Sequence, residues 1–424
     1  MNHRTGPFMN ELWLIVLQST HDCLTNTPDP RLLRLVCKNF LSLVDALPDL
    51  WHHIIFQGPR PNILGTRFRL ERASTVPLRL CLENAPEDDA EAFTSMFREH
   101  QSQWKTIEIH GCNLSILESM FTGTILSSLE SLRLNPRPDT DDEEPSPGTG
   151  LSVINTVRLR FLFAHIRHLH FLSLTALVRM HLDCQLPPGN PALPLAPALV
   201  SLNLTHLHLS GITEAITLLP EKKLMPSLAT FILTSMNASM VRPLLASIDA
   251  PLLHTLAITL ATYTTLSNPQ YQDHSSPLCG YPALQLVHLN QDSLQRYNQV
   301  PVKLLFSLGW AFPRVSTLQT NLSWAAIAHT LDPTPADWQF TGKPPHPFPI
   351  PFPQLDTLAL RCPTASSMDA LEQLFSSRAQ SPHPISCCGI ESHLLHTVRL
   401  PLGTRGIAWD RDFDSKGAAL FPIL

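Results

Sequence analysis

The sequence predicts an α/β protein: a small helical module at the N-terminus, then an irregular, curved array of parallel strands and helices. Three observations carry that expectation. Leucine accounts for 72 of 424 residues, far above ordinary usage. A short phrase with leucine at its first, fourth and sixth positions recurs along most of the chain. The first fifty residues lack that phrase and place apolar side chains at helical spacing instead.

The helical module comes first. Phe8, Met9, Leu12, Ile15 and Val16 form a stripe at spacings of three and four. After a polar stretch, Asp29-Pro30 has the form of a helix start, with Asp as N-cap and Pro at the first helical position. Leu33, Val36, Cys37, Phe40, Leu43, Val44 and Leu47 then make a second stripe, read as one helix that ends at Pro48 and delivers Leu50-Trp51 into an extended segment. So short a segment has too little depth to hide all these side chains, so some are expected to form a docking surface.

The run Asn10-Glu11-Leu12-Trp13, Leu33-Arg34-Leu35-Val36-Cys37-Lys38-Asn39-Phe40, Leu43-Val44-Asp45 and Pro48-Asp49-Leu50-Trp51 resembles an F-box. It departs from the family pattern at its start, where Phe8-Met9 stands for Leu-Pro, and in the long connection from Thr20 to Pro28. The resemblance implies a three-helix module over residues 5–56 that binds the Skp adaptor, and through it cullin, in a ubiquitin ligase. Carried over position by position, the adaptor contacts would be Met9, Leu12, Ile15 and Val16, then Leu33, Val36, Cys37 and Phe40, with Leu43 and Trp51 closing the patch. Phe40 and Leu43 serve equally well as core residues of a small helical domain. Cys37 reads as a small buried hydrophobe.

From Trp104 the phrase takes over. Trp104, Ile107, Ile109, Cys112 and Leu114 fit Leu-x-x-Leu-x-Leu-x-x-Cys-x-Leu, the leucine-rich-repeat phrase. Further copies begin at Leu129, Leu169, Leu199, Leu228, Leu253, Leu284, Val315, Leu355 and Leu395, the last seven in steps of 29, 25, 31, 31, 40 and 40 residues. Pro226, Pro251, Pro282, Pro313 and Pro353 each stand two residues before a copy. Alternating Leu-x-Leu makes a short strand with its apolar side chains inward, and stacked copies bury them in one continuous core. The intervening residues, among them Asn203, Ala257, His288, Ala359 and Arg399, are expected to face outward. Of these, Asn203, His288 and Arg399 are the candidate contacts for an unidentified target protein.

Residues 57–103 read as a connector and N-terminal cap: a basic amphipathic stretch, a strand over Pro77–Leu82 and a helix over Glu87–Gln103 with an acidic first turn. The array then spans 104–424, with insertions at 136–150, acidic, and at 187–197 and 333–353, proline-rich.

Composition excludes several function classes. A net charge of −5 lacks the basic face of a duplex-wrapping nucleic-acid binder. Uncharged runs such as Leu224–Val241 are broken by Pro226 and Asn237, so no membrane span is expected. The N-terminus has no apolar core of signal-peptide type, which points to cytoplasm or nucleus. Nine cysteines without a Cys-x-x-Cys pair suit neither a disulfide framework nor a zinc ribbon. No phosphate-binding glycine loop, nucleophile elbow or His-Glu-x-x-His motif occurs. The histidine groups His165/His168/His170, His206/His208 and His393/His396 read as exposed repeat-surface residues. The expectation is therefore a non-catalytic chain without cofactor or metal: a substrate receptor for the ligase, or a scaffold using the same repeat surface.

Overall fold

The computed structural model describes residues 30–35, 38–57, 62–84, 90–112, 114–135, 156–166, 176–185, 193–195, 203–212, 216–217, 222–261, 278, 280–291, 300–322, 327, 331, 351–360, 368–379, 383–391 and 404–409. The chain forms two compact units, Met1–Leu177 and Val178–Leu424.

In the first unit, α1 (Pro30–Arg34) and α2 (Lys38–Asp45) precede a 3-10 turn over Pro48–Trp51. The continuous helix expected from Asp29 to Leu47 is not what forms. Arg34 and Asp45 are eleven residues apart in sequence, which along one helix is roughly 16 Å. Yet the Arg34 Nε lies 2.9 Å from the Asp45 carboxylate, so α1 and α2 fold back on each other. Strand β1 (His53–Gln57), α3 (Ile63–Ala73), β2 (Leu78–Glu83), α4 (Ala90–Glu99), β3 (Trp104–His110), α5 (Leu114–Phe121), β4 (Ser131–Asn135) and β5 (Phe161–His165) follow. The strands lie side by side in chain order, and each described pairing is parallel.

The repeating unit therefore begins at β1, ahead of the expected start at Trp104. Trp51-x-x-Ile54-x-Phe56 occupies the same frame as Trp104-x-x-Ile107-x-Ile109, and all six side chains are buried. The two tryptophans are also bonded alike. The Trp51 indole N–H donates to the Val44 carbonyl at 2.9 Å, and that of Trp104 to the Phe97 carbonyl at 2.9 Å, each seven residues back in the preceding helix. A buried indole needs an acceptor, and the end of the preceding helix supplies one.

The second unit carries β6 (Arg179–Asp183), β7 (His206–Ser210), β8 (Thr230–Met236), α6 (Ala238–Ala246), β9 (Thr255–Leu260), β10 (Leu286–Gln291), α7 (Val300–Ala311), β11 (Thr317–Thr320), β12 (Thr357–Leu360), α8 (Met368–Arg378), β13 (Cys387–Glu391) and β14 (Arg405–Trp409). These strands too lie side by side in chain order and pair in parallel.

The pre-strand prolines acquire a local reason. Leu228, Leu253, Leu284, Val315 and Leu355 each donate their backbone N–H to the carbonyl three residues back, at Met225, Ala250, Tyr281, Phe312 and Phe352. Each is a β-turn with Pro at its second position, where the fixed φ is already correct. The residue that opens each turn is buried, so the turn closes one repeat onto the core before the next strand starts.

Three copies differ from expectation. Near Leu199 the strand is His206–Ser210, so the operative phrase is Leu204-x-x-Leu207-x-Leu209, with all three leucines buried. The copies expected at Leu169 and Leu395 lie wholly or partly outside the described residues, while strands form at Phe161–His165 and at Cys387–Glu391. The acidic insertion 136–150 lies outside the described residues. The other two insertions overlap built structure. Leu193–Pro194 pairs with Ile216–Thr217, and Pro351-Phe352, expected to end a proline-rich loop, is core.

That last contact is tight. The Phe352 N–H donates to the Gly309 carbonyl of α7 at 3.1 Å, and Arg378 of α8 donates to the Pro351 and Phe352 carbonyls at 2.7 and 3.4 Å. A Cβ on Gly309 would sit 2.5 Å from the Pro351 Cβ and 2.9 Å from the Phe352 ring. Gly309→Ala, which in an open helix gains up to about 1 kcal/mol, is therefore expected to destabilise by roughly 1–3 kcal/mol. Chemical denaturation checks the sign, and a gain in stability would refute the contact.

Candidate functional site

The N-terminal helices are tied to the first repeat by a charge and aromatic hub. Asp45 at the end of α2 binds Arg34 of α1 at 2.9 Å and Arg72 of α3 at 3.0 Å. The Phe68 ring is close to both guanidinium groups, whose central carbons are 5.0 and 5.1 Å from its centroid. Trp51 meets the same ring edge-on at 5.4 Å. Cation–π and ion-pair contacts at such half-buried sites add modestly one by one. Joined through one carboxylate and one ring, they fix three helices together.

This arrangement places the expected adaptor contacts unequally. Met9, Leu12, Ile15, Val16, Val36 and Cys37 lie outside the described residues, as does the side chain of Phe40. Leu33 and Leu43 are half-buried. Trp51, expected to close a docking patch, instead has no exposed surface, because it is the first residue of a repeat phrase with its indole bonded inward. Among the described residues of this region, the exposed large apolar side chains are Leu32 at 63%, Leu35 at 80%, Leu64 at 78% and, on β1, Ile55 at 44% exposure. Sequence reading passed over the first two because the helical stripe put Leu33 on the apolar face. The turn that closes on Leu35, whose N–H donates to the Leu32 carbonyl, brings Leu32 and Leu35 to one side.

The expected target contacts also divide. Arg399 lies outside the described residues. Asn203 is exposed, but in the turn before β7 and not on its outward face. His288 sits half-buried on β10, in register with Ala257 and Gln319 of the neighbouring strands. In that unit the outward row is partly closed: Ile232, Gln319 and Ala359 are each under a tenth exposed, which corrects the expectation that Ala359 lines an open face.

In the first unit the outward positions are mixed, with Ile55 exposed and two pairs formed between strands. Arg79 on β2 binds Glu108 on β3 at 2.6 Å, and Arg133 on β4 stacks over Phe163 on β5 at 4.8 Å. Burial alone would raise the Glu108 carboxyl, but the neighbouring His110 ring, 4.0 Å away, and the charge and bonding of Arg79 outweigh it and hold it below the usual range. Beside them His53 is pushed down to about 4, mainly by burial and then by Arg79.

The histidines of the second unit are less exposed than expected. The rings of His181 and His208 stack at 3.7 Å, and His208 Nε2 meets the Thr234 hydroxyl at 2.8 Å. Burial pushes His208 down to about 4, and burial and Arg179 lower His206. His168, His170, His393 and His396 lie outside the described residues. Among the described residues no group of three or more His, Cys, Asp or Glu is placed to hold a metal ion. Among them, too, no helix is long and apolar enough to cross a membrane.

Known proteins add little. No protein-family model matches the chain, and no curated protein does. Among solved structures, a Bacteroides fragilis protein determined as a structural-genomics target aligns over 72% of this chain and 74% of its own, at 14% identity and a TM-score of 0.33. At that score the likeness supports no argument about fold or function. The fold defines the class: an α/β protein of parallel strand-and-helix repeats.

Proposed function

We propose that this chain is a non-catalytic substrate receptor of a Skp–cullin–F-box type ubiquitin ligase. The N-terminal helices hold the Skp adaptor, and the outward strand positions hold a target protein. The chain makes and breaks no bond in this role. It raises the effective concentration of target lysines near the ubiquitin-charged enzyme. The observation that supports the reading is the exposure of Leu32 and Leu35, one turn apart, within the segment that resembles an F-box, which suits a docking surface.

The test is binding of purified Skp adaptor to full-length protein with Leu32→Glu and Leu35→Glu combined. Hot-spot losses run to about 2 kcal/mol or more each, so affinity should fall at least thirtyfold while the melting curve stays in place. Undiminished binding would sink the assignment. The departure at Phe8-Met9 and the long Thr20–Pro28 connection favour a second reading, a scaffold whose helices no longer recruit a ligase. Co-purification of cullin with the tagged protein separates the two.

A further inference from the structure

We infer that Arg133 and Ile55, on the outward face of the first unit, receive an extended segment of the target protein. The segment sets a carboxylate on Arg133 and, four residues away, a large apolar side chain on Ile55. This rests on the receptor reading above and gives its target-holding face a place and a chemistry.

Five strands carry one row of side chains across this face. In register, Ile55 of β1 stands beside Cys81 of β2, Cys81 beside Glu108 of β3, Glu108 beside Arg133 of β4, and Arg133 beside Phe163 of β5. Their inward neighbours Ile54, Phe56, Leu80, Leu82, Ile107, Ile109, Leu132 and Leu134 are buried, so the row stands on a closed core. Ile55 is 44% exposed. The middle of the row is satisfied within the chain, because Arg79 binds Glu108 at 2.6 Å.

Arg133 is not. Its guanidinium lies over the Phe163 ring, 4.8 Å from the centroid, which steadies the planar group but supplies no counter-charge. Among the described residues it has no ion pair, and its Nε is buried without an acceptor. Glu108, beside it in register, is committed to Arg79. Glu130 is paired with Lys105, and Glu83 lies two strands away. A half-buried cation with no carboxylate of its own chain is complementary to one brought from outside, and arginine–carboxylate bonds are among the stronger polar contacts.

Spacing sets the pattern. Ile55 and Arg133 are three strands apart, roughly 14 Å at about 4.8 Å per strand. An extended segment crossing the strands covers that in about four residues of 3.3 Å each, and side chains four apart share a face. The acid and the apolar residue therefore stand four positions apart, in either order, with a polar residue between them over the Arg79–Glu108 pair.

The experiment selects a phage-displayed random dodecapeptide library on full-length wild type, Arg133→Gln, Arg133→Glu and Ile55→Thr, with a melting curve and Skp-adaptor binding for each. Wild type should enrich peptides with Asp or Glu four positions from a large apolar residue. Such a peptide should bind Arg133→Gln about tenfold or more weakly, while Ile55→Thr loses the apolar preference. Arg133→Glu should enrich Lys or Arg at the acidic position. If Arg133→Glu melts low, Arg133→Gln, which keeps its alkyl stem over Phe163, carries the comparison. Peptides without the acid preference, or peptides that bind Arg133→Gln as tightly as wild type, overturn the inference. A wild type that binds the adaptor yet enriches no acidic peptide overturns it alone. One that enriches such peptides but does not bind the adaptor overturns the receptor reading and leaves this face as a scaffold's binding site.

Discussion

Trp51→Ala is expected to destabilise the protein by about 3–5 kcal/mol, the range for removing a large buried aromatic. The ring has no exposed surface, meets Phe68 edge-on at 5.4 Å and donates its indole N–H to Val44 at 2.9 Å. Removal leaves a cavity, an unbonded buried carbonyl and a hub without its aromatic floor. Trp104→Ala should cost a similar amount, because its ring stacks on Phe97 at 5.4 Å and bonds the Phe97 carbonyl in the same way. Denaturant unfolding of both variants checks this. If Trp51→Ala left stability unchanged and removed only adaptor binding, the ring would be an interface residue after all. It follows that Trp51 is a poor probe of docking, whereas Leu32 and Leu35 can be changed with the core intact.

Acid should weaken the fold well before its carboxylates titrate. His53 and His208 are both held at about 4 in the folded chain, against 6.5 in the unfolded one. Between those values the unfolded state binds a proton that the folded state refuses, so stability falls as pH drops from about 6.5 towards 4. Above pH 7 these two groups contribute no slope. A full shift of this size would be worth about 3 kcal/mol per group. Water reaches both rings in part, and roughly 1–2 kcal/mol each is the expected loss. At about 2–4 °C per kcal/mol, each histidine should lower the melting temperature by several degrees over that window. Glu108, held below its usual range, adds its own loss at still lower pH. His208→Gln, which can keep a bond to Thr234, should flatten the acid limb. A melting temperature constant from pH 7 to 4.5 would contradict the burial of these rings.

The parallel array was legible because its alternation and its prolines both have a physical cause: inward-facing strand positions, and turns that suit a fixed φ. Its frame was less legible. Leu199-x-x-Leu202-x-Leu204 and Leu204-x-x-Leu207-x-Leu209 share Leu204, and in a chain this rich in leucine periodicity cannot choose between them. The copy at Ile385-x-x-Cys388-x-Ile390 escaped because a buried cysteine takes the central leucine's place. Ahead of Trp104, Trp51-x-x-Ile54-x-Phe56 was read as the tail of a helical module because aromatic residues replace leucine at its ends. Leu32, read as off the apolar stripe, is more exposed than Leu33, because α1 and α2 are two helices. The Asp45 hub could not be foreseen, since it joins side chains from three elements whose packing no local pattern records.

The hub has a bearing on how the protein can be dissected. A fragment cut after residue 56 keeps Arg34, Asp45 and Trp51 but leaves Phe68 and Arg72 behind. It would carry a negative charge robbed of one partner and an indole robbed of its facing ring. The N-terminal helices are therefore not a portable cassette. A chimera that transplants them onto another protein must carry residues through Ala73, so that the graft junction falls after α3.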